Sequence, residues 1–98
     1  IAFKKIQKKD SINPVIREYN LIRLANSFHK GNDDKTAIEI RKITTKLYPK
    51  SSISFSSLGF AYWKVKDTTN AIESYKKALK INPENRLALR FFKKHKFD

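Results

Sequence analysis

Cysteine is absent from the 98 residues, which excludes a disulfide framework and any thiolate metal site. The redox compartment stays open, because a cysteine-free chain is at home on either side of a membrane. Glycine occurs only twice and proline three times. Against abundant Lys, Ile, Leu and Ala, that scarcity favours helices over a turn-rich all-β fold. No apolar run approaches the roughly 18–20 residues of a membrane span, and the opening residues do not read as a signal peptide. The chain opens at Ile1 rather than methionine, so a longer parent is expected, with which any targeting signal would have been lost. Acids are scarce as well, nine against 22 Lys and Arg, for a net charge of +13. A chain this short is one domain with a modest core, burying about 60–70% of the surface its unfolded form exposes.

What the sequence does contain is self-similarity. Ala37-Ile38 recurs as Ala71-Ile72, 34 residues on, and Pro49 recurs as Pro83 at the same offset. That offset also aligns Leu24 with Leu58, Leu21 with Phe55, Phe28 with Tyr62 and Asp33 with Asp67. Within each unit the apolar spacing is that of two helices. Leu21, Leu24 and Phe28 form one stripe and Ala37, Ile40, Thr44 and Leu47 the next; Phe55, Leu58 and Tyr62, then Ala71, Tyr75, Ala78 and Leu79, repeat the arrangement. Between the stripes, Asp33 and Asp67 are placed to cap the following helices. Gly31 suits the end of the first helix, where glycine enters the left-handed conformation without strain. The second unit has Val65 near that point, so its turn is expected to be made differently. Pro49 and Pro83 mark where each second helix has stopped.

Leu58-Gly59, Tyr62, Ala71, Tyr75, Ala78 and Pro83, with Phe55 three residues before Leu58, resemble the tetratricopeptide repeat pattern of aromatic, Leu-Gly, Tyr, Ala, aromatic, Ala and Pro. The match runs from Ser52 to Asn85. Residues 18–51 read as a degenerate copy, with Ala25 for the glycine, Arg41 for the second-helix aromatic and Thr44 for the final alanine. The resemblance implies an all-α solenoid of antiparallel helix pairs. Because each repeat buries its apolar face against a neighbour, and at least about three are usually needed, the ends must supply the rest. Residues 86–98 read as a capping helix, with Ala88, Phe91, Phe92 and His95 on one side and Arg86, Arg90, Lys93, Lys94 and Lys96 towards solvent. Residues 1–13 read as a lead-in, with a short helix over Ala2 to about Lys9 that turns Phe3 and Ile6 inward.

The order "YP-S-S…F-SLG-AY…AI-SY-KAL-INPEN…A" is also similar to the helical tail that follows the catalytic domain in many bacterial serine hydrolases of the β-lactamase-related and esterase types. On that resemblance the chain is an accessory segment of a larger, often exported enzyme, and lacks its catalytic serine. The compartment would then be extracytoplasmic rather than cytoplasmic.

Nothing within the chain supports catalysis, and no cofactor is implied. His29 and His95 are the only histidines, without carboxylates or cysteines at ligand spacing, so no metal site is expected. The stretch "SSISFSS" at 51–57 lacks a Gly-x-Ser-x-Gly or Ser-x-x-Lys setting, and Ser51 and Ser52 read as helix-capping residues. The nine acids are scattered or sit at caps, not in acid/base pairs. The basic excess is spread over both ends and most helices. It reads first as a solvated lysine-rich exterior, then as attraction to an acidic partner, and only third as charge-driven binding to nucleic acid or an anionic surface.

The family resemblance implies that the first helix of each repeat lines a concave, partner-binding groove. Carried over by position, Tyr19, Ile22, Asn26 and His29 form the groove in the first repeat. Ile53, Ser56, Phe60 and Trp63 form it in the second, and Arg90 and Lys94 extend it on the cap. Phe60 and Trp63 lie off the packing stripe, and exposed aromatics beside cations are the usual ingredients of a contact hot spot. The alternative is that they pack against the terminal helices or a neighbouring domain. Repeats that clamp a peptide's terminal carboxylate use Lys and Asn at fixed places. Here Asn26 holds one, but Ile22 stands where a lysine would and Ser57 where an asparagine would, so chaperone-tail binding is not expected. The reading is therefore a non-catalytic interaction or accessory module whose partner is a protein or peptide.

Overall fold

The computed structural model describes residues 14–96, with side-chain surroundings from Ile16 onward. They form five helices, α1 (Pro14–Lys30), α2 (Asp34–Leu47), α3 (Ser52–Lys64), α4 (Thr68–Ile81) and α5 (Arg86–Lys94), with no strand among the described residues. The expected lead-in helix over residues 1–13 lies outside the described residues. Helix α1 packs on α2 and α3 on α4, α2 joins the two pairs by packing on α3, and α5 closes the far end against α4. This is the all-α helical-repeat fold that the repeat resemblance implied.

Each helix after the first begins where a short polar side chain satisfies an orphan backbone N–H. The Thr36 N–H donates to Asp33 Oδ1 at 3.1 Å and the Asn70 N–H to Asp67 Oδ1 at 3.3 Å. Ser51 and Asn85 do the same, accepting from the N–H groups of Ser54 at 3.3 Å and Ala88 at 3.0 Å. Such a cap contributes about 1 kcal/mol. Asp33, fully solvated, is held below the usual carboxylate range mainly by the Thr36 hydrogen bond.

The helix-to-helix turns correct the role expected of glycine. Gly31 is not left-handed; Asn32 (φ 64°) and Lys66 (φ 66°) are, and they are 34 positions apart. Around Asn32 the Asp33 N–H donates to the Phe28 carbonyl at 2.9 Å and the Asn32 N–H to the His29 carbonyl at 3.1 Å. Around Lys66 the Asp67 N–H donates to the Tyr62 carbonyl at 2.9 Å and the Lys66 N–H to the Trp63 carbonyl at 3.0 Å. Both are the paired closure that ends a helix with one residue at positive φ. The two turns are thus alike, and the second copy does without a glycine.

The core is concentrated at the α5 end. Tyr75, Ala78, Ala88 and Phe91 are its buried centre, with Phe55, Trp63, Ile72, Leu79 and Phe92 packed around them. The Tyr75 and Phe91 rings stack at 4.2 Å between centroids, and Trp63 meets Phe91 edge-on at 5.1 Å. Gly59 makes room for this. A Cβ there would stand 2.8 Å from Tyr75 Cδ2, well inside contact distance. Burial pushes the Tyr75 hydroxyl pKa up to about 12.

In the first repeat the corresponding centre is polar. Arg41 takes the place of Tyr75 and is only 3% exposed, while Ala25 takes the place of Gly59. The Arg41 Nη2 donates to Asn26 Oδ1 at 2.5 Å, and its buried Nε has no hydrogen-bond partner. Burial lowers the guanidinium pKa, since no carboxylate offsets the lost hydration. Thr44 and Thr45 turn their hydroxyls back to the carbonyls of Ile40 and Lys42, at 2.8 and 2.7 Å. Two expected core residues are corrected here: Leu24 is 47% and Leu47 59% exposed.

Candidate partner-binding groove

The serine-rich start of α3 is structural on both of its sides. Towards α1, the hydroxyls of Ser51 and Ser54 donate to the Glu18 carboxylate. Towards the cap, Ser52 donates to the Ala78 carbonyl at 3.1 Å, and Asn85 Nδ2 donates to Ser52 Oγ at 2.5 Å and Ser56 Oγ at 3.2 Å. Ser56 also donates to the Ile53 carbonyl at 3.1 Å and is fully buried. Its expected place on a solvent-facing groove is therefore corrected. These bonds fix the rotation of α3 about its own axis, and that rotation decides where Phe60 points.

Phe60 is 43% exposed and closes one end of an open cleft of about 490 Å³. Arg23, Asn26, Ser27, His29 and Lys30 of α1 line the rest. The His29 ring stands edge-on to Phe60 at 5.5 Å. Its Nδ1 lies 2.9 Å from Asp34 Oδ1, although that oxygen has no aligned hydrogen-bond donor. Asn26 is oriented from beneath, because the buried Arg41 draws its carbonyl oxygen inward. The amide NH₂ is then the end left for a ligand. Two exposed cations, an oriented donor and an apolar ring in one cleft suit an acidic segment that also carries an apolar side chain.

The remaining expected residues divide. Tyr19, 60% exposed, lies under the Arg23 guanidinium at 5.9 Å, so it flanks the cleft from the preceding turn. Ile22 is half-buried and Ile53 is 59% exposed, neither lining the cleft. Trp63 is half-buried and packs against Phe91 and His95, its ring centroid 4.4 Å from that of His95. It belongs to the contact with α5. Arg90 and Lys94 are exposed on α5 and are not brought to the cleft. Arg23, Ser27 and Lys30 were missed by positional transfer, yet Arg23, Asn26 and Lys30 follow at helical spacing, so stepping along the helix from Asn26 finds both cations.

A smaller crevice of about 320 Å³ lies between α3 and α4, lined by Phe55, Leu58 and Tyr62 on one side and Asn70, Glu73, Ser74 and Lys77 on the other. The Lys77 ammonium sits 5.9 Å from the Phe55 ring centroid. Among the described residues no three His, Cys, Asp or Glu side chains gather as a metal site requires, and no helix is long and apolar enough to cross a membrane.

Comparison with known families matches residues 52–85 to the tetratricopeptide repeat, one unit of the helix pair described above. The boundaries coincide with the second copy of the 34-residue pattern. Repeats of this family generally mediate protein–protein interaction and are typically non-catalytic. No curated protein matches the chain significantly.

Proposed function

We propose that the chain is a non-catalytic interaction module that binds an acidic segment of a partner protein in the cleft between α1 and α3. The observation that carries this reading is the convergence of Arg23, Lys30 and the oriented Asn26 amide around the exposed face of Phe60. Cations at the rim draw the segment in and set its direction, and their contribution falls as salt screens them. Phe60 and the stem of Arg23 give an apolar side chain a surface to cover.

Titration with a fluorescent peptide of alternating Asp and Glu around a single Leu tests the proposal. Phe60→Ala is expected to weaken binding at least about fivefold, the scale of an interface hot spot, and the Arg23→Glu/Lys30→Glu pair to abolish it. Equal loss on reversing Arg90 and Lys94, which lie elsewhere, would mean that general charge and not the cleft holds the peptide. The same titration with a generic DNA duplex at physiological salt addresses binding to nucleic acid. The further possibility that the module is an accessory tail of a bacterial serine hydrolase rests on the order of residues along the chain alone. No contact described above favours it.

A further inference from the structure

We infer that the outer face of the first helix pair, formed by Leu24 of α1 with Ile43 and Leu47 of α2, docks an amphipathic helix of another protein, one whose apolar stripe is flanked by Asp and Glu. The internal repeat supplies the argument. Leu24 and Leu58 are the same position in the two copies, yet Leu58, on the helix that α2 packs against, is 7% exposed and Leu24 is 47% exposed. Besides its own partner α4, α3 has α2 of the preceding pair against it, whereas no described helix precedes α1 to pack on it in that way.

The crevice beside that position differs in chemistry as well as cover. In the second copy it is completed by Asn70, Ser74 and Lys77, side chains at ease in water. At the corresponding places the first copy has Thr36, Ile40 and Ile43; one turn further, Leu47 stands where the second copy has Ile81, apolar in both. Ile43 and Leu47 are 53% and 59% exposed. The copy that holds an arginine in place of the interior aromatic carries Ile40 and Ile43 here in place of Ser74 and Lys77, and exposed apolar residues grouped on one side of a helix pair mark a contact surface. In the second copy the neighbour of α3 from outside its own pair is a helix, α2, so a helix is the occupant inferred for the first copy.

Charge selects among helices. Arg17, Arg23, Lys42 and Lys46 are exposed around the face, and the acid nearest them in sequence on α2, Glu39, is already 3.5 Å from the Lys42 ammonium. Residues 1–13 carry four lysines and one aspartate, and a second copy of the chain carries +13. Like-charge juxtaposition disfavours both as occupants. An acid-flanked helix has no such penalty.

The test uses the whole chain and two synthetic amphipathic peptides of about 18 residues, long enough to hold a helix, with leucines at i, i+3, i+4 and i+7. One is flanked by glutamate and the other by lysine. The glutamate peptide is expected to bind saturably, with amide shifts at Leu24, Ile43 and Leu47, and Ile43→Lys to weaken it about tenfold or more while Phe60→Ala leaves it unchanged. Lysine is the residue that the second copy carries at this place, so the variant should fold; its helical circular dichroism is the check. Absence of saturable binding, or equal affinity for the two peptides, overturns the inference. Loss on Phe60→Ala instead would put the peptide in the α1/α3 cleft, which leaves the cleft reading standing and this one not. Two further outcomes reassign the face: dimers in sedimentation that Ile43→Lys dissolves give it to a second copy. Shifts of residues 1–13 on the same substitution in the free chain give it to the protein's own lead-in.

Discussion

Positions 41 and 75 occupy the same place in two copies of one helix pair, and one holds an arginine where the other holds a tyrosine. Around Tyr75 the structure is a packed aromatic core that extends into α5 through Phe91. Around Arg41 it is a guanidinium with one amide partner and an unpartnered Nε. The backbones of the two turns are nevertheless closed by the same hydrogen bonds. The comparison separates what a repeat needs to exist from what it needs to be stable. Caps and turn closures suffice to define the helix pair, and they are kept in both copies. Hydrophobic filling is kept in one, and the other leans on it through the α2/α3 contact and the Glu18–Ser51–Ser54 bonds.

The largest expected effect follows from where the filling lies. Phe91→Ala removes a ring that stacks on Tyr75 and meets Trp63, at a cost of about 3–5 kcal/mol. Leu47→Ala, at a residue 59% exposed, is expected to stay within about 0.5 kcal/mol. Urea denaturation of the two variants reads the difference directly. Similar losses would mean that Leu47 is covered in solution, and that the first copy is better packed than its isolated structure shows.

A sharper version exchanges the interiors. Gly59→Ala drives a Cβ into the Tyr75 ring and is expected to destabilise by about 1–3 kcal/mol, less the gain in helix propensity. In the first copy, Arg41→Tyr relieves a buried charge but sets a ring where Ala25 stands in place of glycine. Ala25→Gly alone gives up about 1 kcal/mol of helix propensity. Together they recreate the second copy's pair, and a coupling of about 0.5–3 kcal/mol in favour of the double variant is expected. Additive singles in thermal melts would show that the glycine and the aromatic do not act as a unit.

Most of the fold was legible because it is written in residues whose role is local. Asp33 and Asp67 sit before their helices with short acceptor side chains, and Pro49 and Pro83 stand just past the ends of α2 and α4, so spacing alone located the boundaries. Burial was less legible where it depends on a neighbour. Leu24 reads like Leu58 in the sequence, yet it is 47% exposed where Leu58 is 7%. The groove suffered from the same gap. Ser56 and Phe60 are four residues apart on one helix, and the hydrogen bonds of Ser56 to Asn85 and Ile53, made from across the chain and from its own helix, bury one and leave the other exposed. Positional transfer carried the family's groove onto α3 without that rotation, and so placed Ser56 and Trp63 in solvent that they largely do not meet.

The smallest expected effect tests the turns, where the sequence suggested the wrong residue. A non-glycine residue at positive φ costs about 1–2 kcal/mol, less for asparagine, whose short polar side chain tolerates that region. Lys66→Gly therefore removes strain at a φ of 66°, offset in part by the freedom glycine adds to the unfolded chain, for a net gain of about 0.5–1 kcal/mol. Asn32→Gly, at a φ of 64°, gains only about a few tenths. Gly31 is the control. A Cβ there meets only the carbonyl oxygens of Phe28 and Ser27, at 3.6 and 3.7 Å, and its φ is negative, so Gly31→Ala is expected to be neutral or to stabilise by about 0.4–1 kcal/mol. Melting temperatures of the three variants rank them. A loss at Gly31→Ala with no gain at Lys66→Gly would return the left-handed position to the glycine. The reverse order means that the left-handed residue of the turn is set by its position two residues before the next helix begins, where the chain accepts whatever residue the copy holds.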